Sequence, residues 1–196
     1  MDKNLIEKIK KLREETGAPI NLCKEALENS NNDIELAKKY IMKKGEYLLQ
    51  KKDQEITKFG LIEGYIHFNG RVGSLVELRA ETDFVTKSVE FKSLAHEIAL
   101  QVATMNPRYL SINEIPQKDK EEKIKEFIEE LKDKPENIKE KVSLEKMNKW
   151  YSEICLLEQP YFKDENLKIK DLIHNLANKF GEKIEIKRFV RFSIND

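Results

Sequence analysis

Apolar residues change their spacing twice along this chain, and each change marks a new kind of element. Up to residue 45 they follow the three-and-four rhythm of helices. Leu5, Ile6, Ile9 and Leu12 make a first stripe that Gly17 can close, and Leu22, Cys23, Ala26 and Leu27 make a second. A third helix is predicted to begin at a capping box of Asn32 and Glu35, run through Leu36, Ala37, Tyr40 and Ile41, and stop at Gly45. Helices this short, with few apolar residues to share, predict a small and marginally stable bundle over residues 1–50, suited to recognition more than catalysis. The charged stretch Lys51–Lys58 reads as a linker or short helix, and the linker is placed at 51–60.

Beyond it the period falls to two. Ile62, Gly64, Ile66 and Phe68 alternate with Glu63, Tyr65 and His67, and after Asn69-Gly70 the residues Val72, Ser74, Val76 and Leu78 alternate with Glu77 and Arg79. This predicts a hairpin over Leu61–Arg79 closed by a type I′ turn, because Asn-Gly supplies positive φ at least cost. Ser88 then caps a long helix whose Phe91, Leu94, Ala95, Ile98, Ala99 and Val102 recur at helical spacing until Pro107.

From Gln117 to Ile154 lysine and glutamate dominate. Ile124, Phe127, Ile128 and Leu131 precede Pro135, while Ile138, Val142, Leu144, Met147, Tyr151 and Ile154 follow it, which predicts two antiparallel helices with a narrow apolar seam. A last helix carries Ile169, Leu172, Ile173, Leu176, Ala177 and Phe180 and ends at Gly181. An alternating strand follows, with Ile184, Ile186, Arg188, Val190, Phe192 and Ile194, and completes the sheet. The predicted class is α+β: an N-terminal three-helix bundle, an antiparallel three-stranded sheet packed with helices, and a projecting antiparallel helical hairpin at about 117–154 within a 61–196 core.

Charge alters this picture little. Lys+Arg and Asp+Glu number 36 each in 196 residues, so no overall basic field draws the chain to nucleic acid or anionic lipid. Lys187, Arg188 and Arg191 flank Phe189, but alternation puts Phe189 and Arg188 on opposite faces, which argues against direct RNA binding. No apolar run reaches the ~18 to 20 residues of a membrane span, and Met-Asp-Lys-Asn is no signal peptide, so a soluble cytoplasmic protein is expected. Cys23 and Cys155 lack metal or redox spacing and read as reduced thiols.

Catalytic chemistry is thinly supplied. His67, His96 and His174 have no zinc-ligand spacing, and Gly70-Arg71-Val72-Gly73 lacks the Lys-Ser/Thr ending of a phosphate loop. Neither enzyme activity, nor a cofactor, nor a bound metal is expected. The most informative segment is Glu81-Thr82-Asp83-Phe84-Val85, which sets a carboxylate and a large aromatic at the end of a strand. A rigid mount suits a side chain that enters another molecule, since little ordering entropy remains to be lost. The residues alone leave a second reading open, in which Phe84 folds back into its own core and Asp83 caps a turn.

Several blocks, taken in order, resemble bacterial elongation factor Ts in its short, single-core form. Leu12-Arg13-Glu14-Glu15-Thr16-Gly17-Ala18, Cys23-Lys24-Glu25-Ala26-Leu27 and Asn32-Asp33-Ile34-Glu35 resemble its N-terminal domain. Gly70 through Glu77, Glu81 through Val85, Leu157-Glu158-Gln159-Pro160-Tyr161 and Gly181-Glu182-Lys183-Ile184 resemble its core. The resemblance implies a guanine-nucleotide exchange factor for elongation factor Tu, in its GDP-bound and nucleotide-free states, with a ubiquitin-associated-like (UBA-like) N-terminal domain. It implies that Thr82, Asp83, Phe84 and Val85 enter the partner near its magnesium site, that Lys24 touches the partner, and that the core sheet pairs as a homodimer to give a two-plus-two complex. The alternative from the residues themselves is a non-catalytic scaffold that binds proteins through the small bundle.

Overall fold

The computed structural model describes residues 3–16, 18–51, 56–131 and 135–194. In chain order the elements are α1 (Lys3–Thr16), α2 (Ile20–Asn29), α3 (Ile34–Lys51), β1 (Phe59–Ile66), β2 (Val72–Ala80), α4 (Asp83–Lys87), α5 (Val89–Met105), α6 (Gln117–Glu130), α7 (Glu136–Ile154), β3 (Pro160–Tyr161), β4 (Asp164–Lys168), α8 (Ile169–Phe180) and β5 (Ile184–Ser193). The class is α+β: β1, β2 and β5 form a three-stranded antiparallel sheet with β2 central. The short pair β3–β4 makes a second sheet that apolar spacing did not signal. The chain divides into two compact units, one of Met1–Glu63, Val76–His96 and Asp171–Lys187, the other of Gly64–Leu75, Glu97–Lys170 and Arg188–Asp196.

In the first unit, α1, α2 and α3 bury Leu12, Ala18, Cys23, Ala26, Leu27, Ala37 and Ile41 in a common core. The cap of α3 is Asp33, not the expected Asn32: the Leu36 N–H donates to Asp33 Oδ1 at 2.9 Å. Asn31 and Asn32 instead take left-handed φ values of 49° and 60°, which asparagine tolerates, and turn the chain between α2 and α3. Nor does Gly45 end α3, which continues to Lys51. An interior glycine costs only about 1 kcal/mol, too little to break a helix by itself. Gly17, expected to close α1, and residues 52–55 of the expected linker lie outside the described residues, while β1 already begins at Phe59.

The hairpin forms, but its turn is not type I′. Among the described residues of the turn only Gly70 has positive φ, at 68°. The Gly70 N–H donates to His67 O at 2.7 Å, and Asn69 stays out of the left-handed region and accepts the Arg71 N–H at 3.0 Å through its side chain. A turn ending in a left-handed glycine closes a longer loop than the two-residue type. On β2, Ser74, Val76, Leu78 and Ala80 are the buried set. Ser74 Oγ donates to Ala99 O of α5 at 2.6 Å, and all six apolar residues expected along α5 are buried.

β5 departs from its own sequence alternation. Ile184 and Ile186 are buried, yet Val190, Phe192 and Ile194 are 40%, 66% and 72% exposed. Lys187 and Arg188 are both exposed, and beyond them Phe189, Arg191 and Ser193 become the more buried set. Arg191 Nε accordingly donates to Ala103 O at 3.0 Å. The apolar half of β5 is thus turned outward.

The second unit contains the α6–α7 hairpin, with Phe127, Leu131 and Met147 buried along its seam and Pro135 just before α7. It also contains a buried amide pair. Gln159 Nε2 donates to Glu153 O at 3.1 Å and to Met105 O at 3.4 Å, carbonyls in the last turns of α7 and α5. Gln101 Nε2 donates to Gln159 Oε1 at 3.2 Å and to Pro160 O at 3.0 Å, and Gln101 Oε1 accepts the Phe162 N–H at 3.1 Å. One side chain thus satisfies helix-end carbonyls that have no donor within their own helices.

Candidate functional site

The strand β2 ends at Ala80, and the segment expected at a strand end sits instead on α4, a one-turn helix. Thr82 occupies the N-cap position with extended φ −122° and ψ 158°, but its hydroxyl makes no cap hydrogen bond. It donates to Glu182 Oε1 at 2.7 Å, and the Thr82 N–H donates to Glu182 Oε2 at 3.1 Å. In return the Glu81 carboxylate accepts the Lys183 N–H. Gly181 makes this possible: with φ 71° it turns the chain out of α8 while its N–H still reaches Ala177 O at 2.8 Å.

Within α4 the side chains separate sharply. Val85 is 1% exposed and Thr86 9%, so these two anchor the turn, whereas Phe84 is 74% exposed. Phe84 therefore does not fold back into its own core. Asp83 Oδ2 accepts from Lys87 Nζ at 2.5 Å, a pair one helical turn apart on the surface. That hydrogen bond holds the Asp83 carboxyl below its usual range, so it is ionised at neutral pH. At the far end Ser88 Oγ donates to Val85 O at 2.7 Å and accepts the Phe91 N–H at 3.2 Å, capping α5 as expected. The result is an exposed phenyl ring and carboxylate on a turn fixed at both ends.

Lys24 lies on α2, next to the buried Cys23, and forms a surface pair with Glu28 at 3.8 Å. Each of the two candidate surfaces is held by its own local partners. Cys23 and Cys155 are both buried free thiols, and burial raises the pKa of each, that of Cys155 to about 11. Among the described residues no group of three histidine, cysteine or carboxylate side chains is assembled for a metal, and no helix is long and apolar enough to cross a membrane. Glu81 and Glu182 were missed as site residues, because no local pattern reports a contact between positions 100 apart in sequence.

A second surface feature belongs to the other unit. Ile66, Phe68 and Leu75 are 76%, 92% and 46% exposed, and with Phe192 and Ile194 they make an outward apolar face. A groove of about 550 Å³ runs over it, lined by Ile66, Gly73, Leu75, Phe192 and Ile194 among others. Soluble monomers rarely leave so continuous an apolar patch to water.

The family model for elongation factor TS matches residues 3–196. Elongation factor Ts of Thermotoga neapolitana is 45% identical over 188 residues, covering 96% of this chain and 95% of that one. The protein of the same name from Petrotoga mobilis is 46% identical over 195 residues, covering 97% of this chain and 98% of its own. That from Methylacidiphilum infernorum is 42% identical over 188 residues, covering 96% and 94%.

Proposed function

This chain belongs to the elongation factor Ts family, and we propose that it is a cytoplasmic guanine-nucleotide exchange factor for elongation factor Tu that works by inserting Thr82–Val85 into its partner. The observation that carries the insertion is the contrast between neighbours: Val85 is 1% exposed and Phe84 74% exposed. A ring displayed on an anchored turn has lost most of its freedom before contact. In this reading Phe84 enters beside the partner's magnesium and nucleotide phosphates. The ionised Asp83 adds a negative charge there, which competes for donors and repels phosphate. Exchange then follows from linkage, since a factor that favours the nucleotide-free state and GDP must weaken each other's binding equally.

Burial of Phe84 in the partner is worth ~1.5 to 3 kcal/mol. If it is realised only while nucleotide leaves, that corresponds to about one to two powers of ten in release rate. The test is stopped-flow release of a fluorescent GDP analogue from elongation factor Tu, with the unaltered protein and Phe84→Ala compared. A collapse of acceleration in the variant, with its circular dichroism unchanged, supports the insertion. Equal rates for the two proteins refute it.

Two further surfaces complete the reading. Residues 1–50 act as a UBA-like recognition module over a 61–196 core, with Lys24 meeting the partner. Lys24→Ala should raise the half-saturating concentration of the factor, and an unchanged value would remove that contact. The outward face around Ile66, Leu75 and Phe192 is covered by a second copy of the chain, giving a homodimer that binds two partners; its exposed apolar groove supports this.

A further inference from the structure

The exchange reading assigns work to Phe84 but not to the residues that aim it. The chain enters α4 through Thr82, whose hydroxyl and backbone N–H both end on one carboxylate, that of Glu182. A threonine at an N-cap ordinarily turns its oxygen back onto the first turn of its own helix. Here the hydroxyl is diverted, and the backbone N–H of the same residue goes to the other oxygen of the same group. Two donors from one residue onto two oxygens of one carboxylate define an orientation, not only a distance, and charge-assisted bonds of this kind are the stronger sort.

The arrangement is reciprocal. Glu81, one residue before Thr82, accepts the N–H of Lys183, one residue after Glu182. Adjacent acidic side chains on the two segments therefore each take the backbone of the other, and the pair is locked against sliding. Gly181 sets the height of the lock by ending α8 in the left-handed region at φ 71°. Two residues beyond Thr82 stands Phe84, whose own side chain is mostly in water and has little of its own fold to hold it in place. Its direction is set from below by Val85 and Ser88 and from the entry side by Glu182.

The geometry points to Glu182 as a positioning residue for exchange, holding Thr82 so that Phe84 is aimed at the partner before contact. This rests on the exchange reading. Loss of Glu182 frees the entry to α4, so part of the ordering cost of the wedge falls on the step in which nucleotide leaves. The effect cannot exceed that of losing the ring itself.

The experiment uses the full chain with elongation factor Tu carrying a fluorescent GDP analogue, and reads both the maximal release rate and the half-saturating concentration. Glu182→Ala should lower the maximal rate by about three- to tenfold while the half-saturating concentration changes by less than about twofold. Glu182→Gln should recover most of the rate, because an amide can accept the Thr82 N–H through its oxygen and donate to the hydroxyl through its nitrogen. In a Phe84→Ala background, Glu182→Ala should cause no further loss. An unchanged rate in Glu182→Ala, or an equal further loss in the Phe84→Ala background, overturns the inference and leaves Glu182 a brace for the fold. Should Glu182→Ala fail to fold by circular dichroism, Thr82→Val decides: a reduced maximal rate supports the inference, and an unchanged one overturns it. No acceleration by the unaltered protein would instead refute the exchange reading on which the inference stands.

Discussion

Gln159→Met replaces a fully buried amide by a thioether of similar length, so packing is kept while three hydrogen bonds of the Gln159 side chain disappear. The carbonyls of Met105 and Glu153 then lose the donor that caps them, and one N–H of Gln101 loses its acceptor. Gln101 keeps Pro160 O and the Phe162 N–H, which confines the damage. At roughly 1 kcal/mol for each bond, with more where a buried group is left dry, the loss should be about 3 kcal/mol, within a range of ~2 to 5. Against a total stability of ~5 to 15 kcal/mol this is a large fraction and readily measured. Urea unfolding followed by circular dichroism should show a lower midpoint at unchanged slope. A loss below ~1 kcal/mol would refute the claim that Gln159 caps two helices at once. Gln159→Glu sharpens the test. An ionised carboxylate cannot donate to either carbonyl, so its folded pKa must lie above the unfolded value. Stability of that variant is then fully present below the unfolded carboxylate pKa of about 4.3 and falls as pH rises through the shifted one.

Glu158 should behave in the opposite sense. Burial raises its pKa, but hydrogen bonds from Lys168 and Lys170 outweigh burial and hold it below 4.5, so its contribution is present above that pH and lost as pH falls through the folded value. Urea midpoints between about pH 3 and 7 should show a flatter acid limb for Glu158→Gln, and parallel curves would contradict the assignment. Gly60→Ala places a Cβ 2.5 Å from the backbone oxygen of Leu78, which cannot yield cheaply, and should cost ~1 to 3 kcal/mol in a thermal melt. Gly70→Ala meets no atom within 4 Å and should cost only the ~1 to 2 kcal/mol of its left-handed φ, so Asn should rescue Gly70 and fail at Gly60. For the proposed homodimer, the unaltered chain should sediment as a dimer by analytical ultracentrifugation and Phe192→Asp on the outward apolar face as a monomer; equal sedimentation of the two would exclude that face as the interface.

What the sequence disclosed was whatever a short window contains. The apolar stripe of α5, its Ser88 cap and the Pro135 boundary of the hairpin are local, and the structure has them as expected. Two of the errors are also local and arise where two neighbours compete for one role. Asn32 and Asp33 both suit a cap, and the carboxylate took it while the amide took the left-handed turn. Asn69-Gly70 suits a two-residue turn, yet Asn69 bonds its own backbone surroundings instead. For the site, Phe84 and Asp83 stood out by type, and the exposure of Phe84 removes the reading in which its ring folds back into its own core. The lock of Glu81 and Glu182 was invisible, because its members meet only after β2 and α8 have folded.

The outward turn of Val190, Phe192 and Ile194 leaves β5 half core strand and half surface. Its even-numbered residues from Ile184 to Ile194 are apolar except Arg188, yet only Ile184 and Ile186 among them are buried. The opposite face of the same stretch is held by the Arg191 bond to Ala103. In the proposed homodimer, association and the order of this strand end are coupled: dilution to the monomer should loosen amide protection across residues 188–193 before the rest of the sheet responds, making the last strand a reporter of whether the subunit is alone.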